Sequence, residues 1–412
     1  MDALLSISRT SATRFEGTDF HQHIPSYLDR LKNLGYSQST ITHYLSGLSH
    51  FSGWCTQNRR GIKEIGDADL VRFLEHHLPR CKCSAPIQRG PHQLRAAIRQ
   101  FLVIIRQFTS SKPPVLTPAR AELLRFDMYL LKTKGLAAST RARRLIIVGE
   151  LLSYQQQESI PTDLNPQTLR KCLQAQRSRL SPASAGVFAG ALRSYIKYRI
   201  TLGDDVGHLL PIILSPANWR LAPLPQTLNA RQVDQLLTAF PPDFPSRRRG
   251  YAIVRCLVDL GLRTSEVASI KLDDIDWHAA TLKITKNKSR RVDILPLPTL
   301  TNKAIAEYIQ FERPHSGLRQ LFVRHVAPIN QPISISVIRN TVRNAYLRCE
   351  LPFTRVHILR NTLASRILAK GGSLKEVTDV LRHRHLDTSL IYTKIDFTRL
   401  ALVTQPWPGS TT

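Results

Sequence analysis

Apolar residues recur every three to four positions over most of this chain, and alternate at every second position in one stretch only. The first spacing predicts amphipathic helices and the second predicts a strand pair. Two front segments echo one another. "YLDRLKNL" and "FDMYLLKTK" both read as helices that stop at a glycine, Gly35 and Gly135. Ser39-Thr40 and Ser139-Thr140 follow at the same offset, each pair supplying an N-cap for a further amphipathic helix. "DLVRFLEHHL" and "HQLRAAIRQFLVIIR" continue the first unit; "NPQTLRKCLQAQ" and "SAGVFAGALRSYIKYRI" continue the second. The expected organisation is a tail at 1–17 and helical units at 18–112 and 113–205, joined through "KPPVLTP". The Pro-rich stretch "LLPIILSPANWRLAPLPQ" suits a linker, assigned to 206–226.

From Thr227 the pattern changes. "NARQVDQLLTAF" and "RGYAIVRCLVDLGLRTSEVASIKLDDID" are helical, whereas "ATLKITKNKSRRVDILPLP" alternates around a polar turn, with Leu282 and Ile284 answered by Val292 and Ile294. A last domain at 227–403, followed by a tail at 404–412, is therefore expected to be mainly α with a small antiparallel β-sheet.

Charge narrows the partner. Against 30 Asp+Glu stand 58 Lys+Arg, a formal net charge of +28 over 412 residues. The basic residues are mixed with apolar ones throughout, which predicts folded basic faces for a polyanion, nucleic acid before an acidic membrane. No charged-then-apolar leader and no apolar run near the ~20 residues of a spanning helix is apparent. Six cysteines in a chain this long do not read as a disulfide framework. A cytoplasmic, nucleoid-associated protein is expected.

Four features of the last domain carry chemistry. "GLRTSEV" stops one helix at Gly261, caps the next with Thr264 and fixes Arg263 at the junction, though a lone Arg there is more often an ion-pair partner. The hairpin turn bears Lys286 and Lys288, ordinarily just solvated. "VHILRNTLASRILAKGG" sets His357 and Arg360 on one face near a helix start, where an anion can dock. "SLKE" makes a capping box at Ser373 and Glu376, and the helix runs on to about His383; Asp387 can cap a short helix carrying Tyr392. Each feature alone has a structural explanation.

In order, Arg263, a hairpin lysine, His357-x-x-Arg360, His383 and Tyr392 resemble the active-site set of the tyrosine recombinase (phage-integrase) family, whose boxes read here as "GLRTSE", "HILRNT" and "LRHRHLDTSLIY". The resemblance covers roughly Thr227 to Trp407, less firmly the units in front. It implies a C-shaped clamp on double-stranded DNA, made of helical DNA-binding units, the second of them core-binding, and a catalytic domain. Tyr392 would attack a phosphodiester, giving a 3′-phosphotyrosine and a free 5′-hydroxyl. Arg263 and Arg360 would fork onto the non-bridging oxygens, His357 would act as general base, and His383 would donate to the phosphate. Lys288, with Lys286 as alternative, would protonate the leaving 5′-oxygen. No cofactor, metal or ATP is implied.

A homotetramer on two DNA sites is the family expectation, with accessory recombinases or host factors left open. The chain's ending looks like that of mobile-element recombinases, and the first helical unit could be an extra arm-like module. Two departures stand out: Arg382 where the family often has Gly, and Asn361 where it often has His. A type IB topoisomerase-like enzyme and a non-catalytic DNA-binding relative are the rivals.

One cluster falls outside this picture. "EHHLPRCKCSAPIQRGPH" holds His76, His77, Cys81, Cys83 and His92, the residue types of a zinc site. Its Cys-x-Cys spacing departs from the usual Cys-x₂-Cys knuckle, so a loop of incidental Cys and His is the preferred reading and no metal is assigned.

Overall fold

The computed structural model describes residues 15–83, 88–108, 117–157, 164–215, 224–285, 292–383 and 385–395. They divide into two compact units, residues 111–222 forming one and residues 1–110 with 223–412 the other.

In the second of these, helices Ile24–Asn33, Gln38–Gln57 and Pro91–Phe108 close over an aromatic core of Phe20, Tyr27, Phe51, Phe73 and Phe101. Burying each such ring stabilises by roughly 1.5–3 kcal/mol. Gly35 ends the first helix at φ +74°, a left-handed stop. The following cap is Ser37, not the Ser39-Thr40 pair: its hydroxyl accepts from the Thr40 N–H at 3.3 Å, so the helix begins at Gln38. A short hydroxyl two residues earlier already satisfies the free amide.

The unit at 111–222 contains helices Pro118–Lys132, Ala138–Gln157, Pro166–Arg177 and Pro182–Thr201. Gly135 repeats the left-handed stop at φ +57°. Its core does not end at 205. A 3₁₀ turn at Gly207–Ile212 lays Val206, Leu209 and Ile213 into it, so the apolar half of the expected linker belongs to this bundle. Proline spacing hid those anchors.

The C-terminal part is organised by helix Arg247–Asp259, in which Ala252, Ile253, Val254, Cys256, Leu257 and Val258 are all buried. A helix buried on every side, here with Arg255 enclosed and paired to Asp259 at 3.0 Å, must be central. Around it pack Ala230–Leu237, Thr264–Ser269, Thr299–Phe311, Ile335–Arg348 and His357–Ala369. Three antiparallel strands lie in the order β1 (Ile275–Asp276), β2 (Thr281–Ile284), β3 (Asp293–Pro296). β2 faces the core through Leu282 and Ile284 as expected, but β3 does so through Leu295, next to the buried Leu297. Val292 and Ile294 are 60% and 67% exposed, Ile294 lying opposite Lys283. One residue of register turned the expected inner face outward. The capping box of Ser373 and Glu376 is present, and its helix, Leu374–Val380, ends three residues before His383. Tyr392 lies on a 3₁₀ turn, Leu390–Ile395, rather than on a helix capped by Asp387.

Candidate active site

The site starts from a tight corner. Gly261, at φ +57°, leads out of the central helix, and a Cβ there would stand 2.8 Å from Leu363 Cδ2 and 2.9 Å from Leu381 Cδ2. Only glycine fits. The close approach lets the Gly261 carbonyl accept from Arg360, whose other terminal nitrogen donates to the Leu381 carbonyl. Arg360 is 2% exposed, and its Nε is buried without a hydrogen-bond partner. Burial, with Arg263 and Arg382 nearby, pushes its guanidinium down to about 9. A buried cation pressed in this way favours an anion beside it.

Arg263 is the residue before helix Thr264–Ser269, so the cap is not Thr264; the backbone N–H of Arg263 donates to Glu266 Oε2 at 2.8 Å. Glu266, 1% exposed, also takes Arg263 Nη1 at 2.8 Å and Arg382 Nη2 at 2.9 Å. Burial pushes the Glu266 carboxyl up, but Arg382 and Arg263 outweigh it and hold it below its ordinary range. Arg382 adopts φ +53°, which explains why glycine suits this position and what arginine gains there instead, a buried ion pair.

His383 Nδ1 lies 2.7 Å from Ser389 Oγ, which is 2.8 Å from Thr378 Oγ1. This anchor fixes the ring parallel to that of Tyr392, at 6.3 Å between centroids. Burial and the neighbouring Arg360, Arg263, His357 and Arg382 push His383 down to about 3. Tyr392 is 2% exposed and donates its hydroxyl to Asn361 Oδ1 at 3.1 Å. Burial raises its pKa against the pull of Arg360 and Arg263, so the hydroxyl rests protonated. The second departure thus holds the tyrosine oxygen.

A cleft of about 610 Å³ opens over Arg263, His357 and Arg360. Arg339, Arg343 and Arg355 line it too, and no carboxylate does among the described residues. Arg339 and Arg343 stand one turn apart on a helix, beside its buried stripe of Ile338, Val342, Ala345 and Tyr346. That spacing was readable; the abundance of arginine concealed it. Partial loss of hydration, then Arg360 and Arg263, keeps His357 below its ordinary pKa and so neutral. Lys286 and Lys288 lie outside the described residues.

The Phage integrase family profile matches residues 226–399. The integrase/recombinase y4rA of Sinorhizobium fredii is 30% identical over 396 residues, 94% of this chain and 94% of that protein. The chain belongs to the tyrosine recombinase (phage integrase) family. Tyrosine recombinase XerD of Listeria monocytogenes is 26% identical, over 67% of this chain and 94% of its own. Among solved structures, XerH site-specific recombinase bound to palindromic difH has a TM-score of 0.52 at 18% identity, covering 81% of this chain and 93% of that one. The lambda integrase (75–356) dimer bound to a COC′ core site gives 0.51 at 15% identity, covering 66% and 94%. The fold is that of these recombinases, and DNA strand breakage and rejoining is the activity of the family.

Two predictions follow from the electrostatics of this recombinase. Arg339→Ala and Arg343→Ala are each expected to weaken DNA binding and to lower the slope of log K against log salt by about 1. Titrating affinity on one duplex across salt concentrations measures it. Acid is expected to destabilise the fold. His383 and His325 stay neutral in the folded state down to about 3 and about 4, the latter through burial and Arg249, against an ordinary 6.5. Below 6.5 the unfolded chain binds protons that the folded chain refuses, so stability is full above that value and declines as pH falls through the window. His383→Gln and His325→Gln should flatten the fall of the melting midpoint between pH 6.5 and 4.

Proposed function

We propose that the chain is a site-specific recombinase of a mobile element, cutting and rejoining DNA through a phosphotyrosine. The observation that carries this reading is the convergence of Arg263, His357 and Arg360 on one cleft with no carboxylate among its described lining residues, with Tyr392 hydrogen-bonded to Asn361, the residue after Arg360. The scissile phosphate would replace water between Arg263 and Arg360, whose planar donors match its non-bridging oxygens and stay charged. Tyr392 would leave Asn361 and attack phosphorus through its oxygen, its proton passing to His357. His383, anchored through Nδ1, would present Nε2 to the phosphate. The 5′-oxygen would depart with a proton from Lys288, or Lys286. The 3′-phosphotyrosine keeps the ester's free energy, so a 5′-hydroxyl can reverse the step without ATP.

Fixed cations supply most of the acceleration in such a site, because they need no reorganisation as charge develops. The solved relatives described as bound to core-site and difH DNA, together with the charge of +28, support double-stranded DNA as the partner. A homotetramer on two sites, with the segment after Tyr392 docking on a neighbour, completes the reading. None of the described helices is long and apolar enough to cross a membrane, in keeping with a DNA-associated, cytoplasmic enzyme.

The test uses supercoiled plasmids carrying two, one or no copies of the sequences flanking the chain's own coding segment. Recombinant products from the two-site plasmid only are expected. Relaxation of all three by a monomer would favour a type IB topoisomerase-like activity instead.

A further inference from the structure

The loop read from sequence as incidental is assembled differently in space. His76 and His92 are exposed. His50, from the buried side of helix Gln38–Gln57, takes their place: the ligand atoms of His50, His77, Cys81 and Cys83 all lie within 4.8 Å of one another. A π-helical turn at Phe73–His77 swings His77 toward His50, and a 3₁₀ turn at Leu78–Arg80 brings the two cysteines back beneath them. π turns of this kind are rare and concentrate at functional sites.

The distances identify the geometry. His50 Nε2 is 3.2 Å from His77 Nε2 and 3.3 Å from Cys81 Sγ, and Cys83 Sγ is 3.6 Å from His77 Nε2. Metal–nitrogen bonds of about 2.05 Å and metal–sulfur bonds of about 2.3 Å make a tetrahedron with edges of about 3.3 Å for N–N and about 3.5 Å for N–S. The three measured edges agree within a few tenths of an ångström. A single in-plane lone pair on each Nε2 cannot serve two partners at once, whereas one central cation serves all four atoms. We propose that His50, His77, Cys81 and Cys83 form a tetrahedral zinc site that clamps residues 73–83 to helix Gln38–Gln57.

The surroundings fit that role. The Cys83 backbone N–H donates to Cys81 Sγ at 3.4 Å, as outer partners of metal-bound thiolates do. Phe73 packs on both imidazoles, at 5.0 and 5.3 Å between centroids, and Trp54 lies 6.3 Å from His77, giving the site an apolar wall. Four protein ligands leave no open position, so the site is structural and separate from the cleft over Arg263.

The test is made on the full chain, purified tag-free without chelator. About one zinc per chain by elemental mass spectrometry is expected, undiminished in His76→Ala and His92→Ala and lost in Cys81→Ser/Cys83→Ser. Cobalt added to chelator-stripped wild type should give thiolate charge-transfer absorption and the intense visible bands of a tetrahedral S₂N₂ centre. Stripping should also release two fast-reacting thiols per chain, because Cys55, Cys172, Cys256 and Cys349 are buried. If the double variant fails to fold, the cobalt spectrum and thiol count of the wild type decide. Wild type without zinc and without a tetrahedral cobalt spectrum, or zinc retained by the double serine variant, would overturn the proposal.

Discussion

Tyr392→Phe is expected to abolish covalent DNA capture and recombination while leaving DNA affinity within about twofold of wild type. Phenylalanine keeps the buried ring and its packing against Ala364, Leu368, Val377 and Leu381. It removes only the oxygen that donates to Asn361, a loss of about 0.5–1.5 kcal/mol in stability. Thr264, Ser265 and Thr354 also line the cleft over Arg263 and Arg360, so the variant asks whether any of their hydroxyls can replace the tyrosine; none is expected to, and no partial activity should survive. A gel-shift titration beside a denaturing gel separates the two effects. Residual adduct in the variant would mean that another residue attacks.

Glu266→Gln is expected to cost about 3–5 kcal/mol, because it leaves a buried guanidinium unpaired. Arg263, with its side chain 25% exposed, can turn to water; Arg382, at 3%, cannot. At roughly 2–4 °C per kcal/mol, the melting midpoint of the C-terminal part should drop by on the order of 10 °C. Recombination at a permissive temperature should fall by on the order of 10²-fold, since Arg263 loses the carboxylate that aims it. Adding Arg382→Gly removes the unpaired charge and the left-handed strain together, and is expected to recover most of the stability but not the rate. Thermal denaturation of the single and double variants, with single-turnover cleavage, distinguishes a positioning residue from a merely structural one.

These two residues mark where reading the sequence succeeds and where it stops. Tyr392, His383, Arg360, His357 and Arg263 stand out in the sequence because their order and intervals resemble a family pattern. By its local sequence Glu266 is only a favourable acidic residue in a first helical turn. Its pairing with Arg382 spans 116 residues and exists only once the Gly261 corner brings both chains together. Asn361 looked like a deviation, and its contact with Tyr392 depends on a tertiary fold-back that no local spacing encodes. The hairpin was legible as a hairpin, yet alternation alone does not say which set of apolar residues faces in; Leu295 and Leu297 compete with Val292 and Ile294, and burial in the common core decides for the leucines. The cysteine–histidine loop failed for a similar reason, since its fourth partner, His50, lies 27 residues before His77.

The central claim is that Tyr392 is the nucleophile. Incubating the chain with a nicked suicide duplex carrying the flanking sequences, digesting the denatured adduct and mapping the nucleotide-bearing peptide by mass spectrometry tests it most directly. The account predicts one modified peptide, with a 3′-phosphate esterified to Tyr392 and a free 5′-hydroxyl on the released strand. A phosphate on any other residue, or a 5′-linkage, would contradict it.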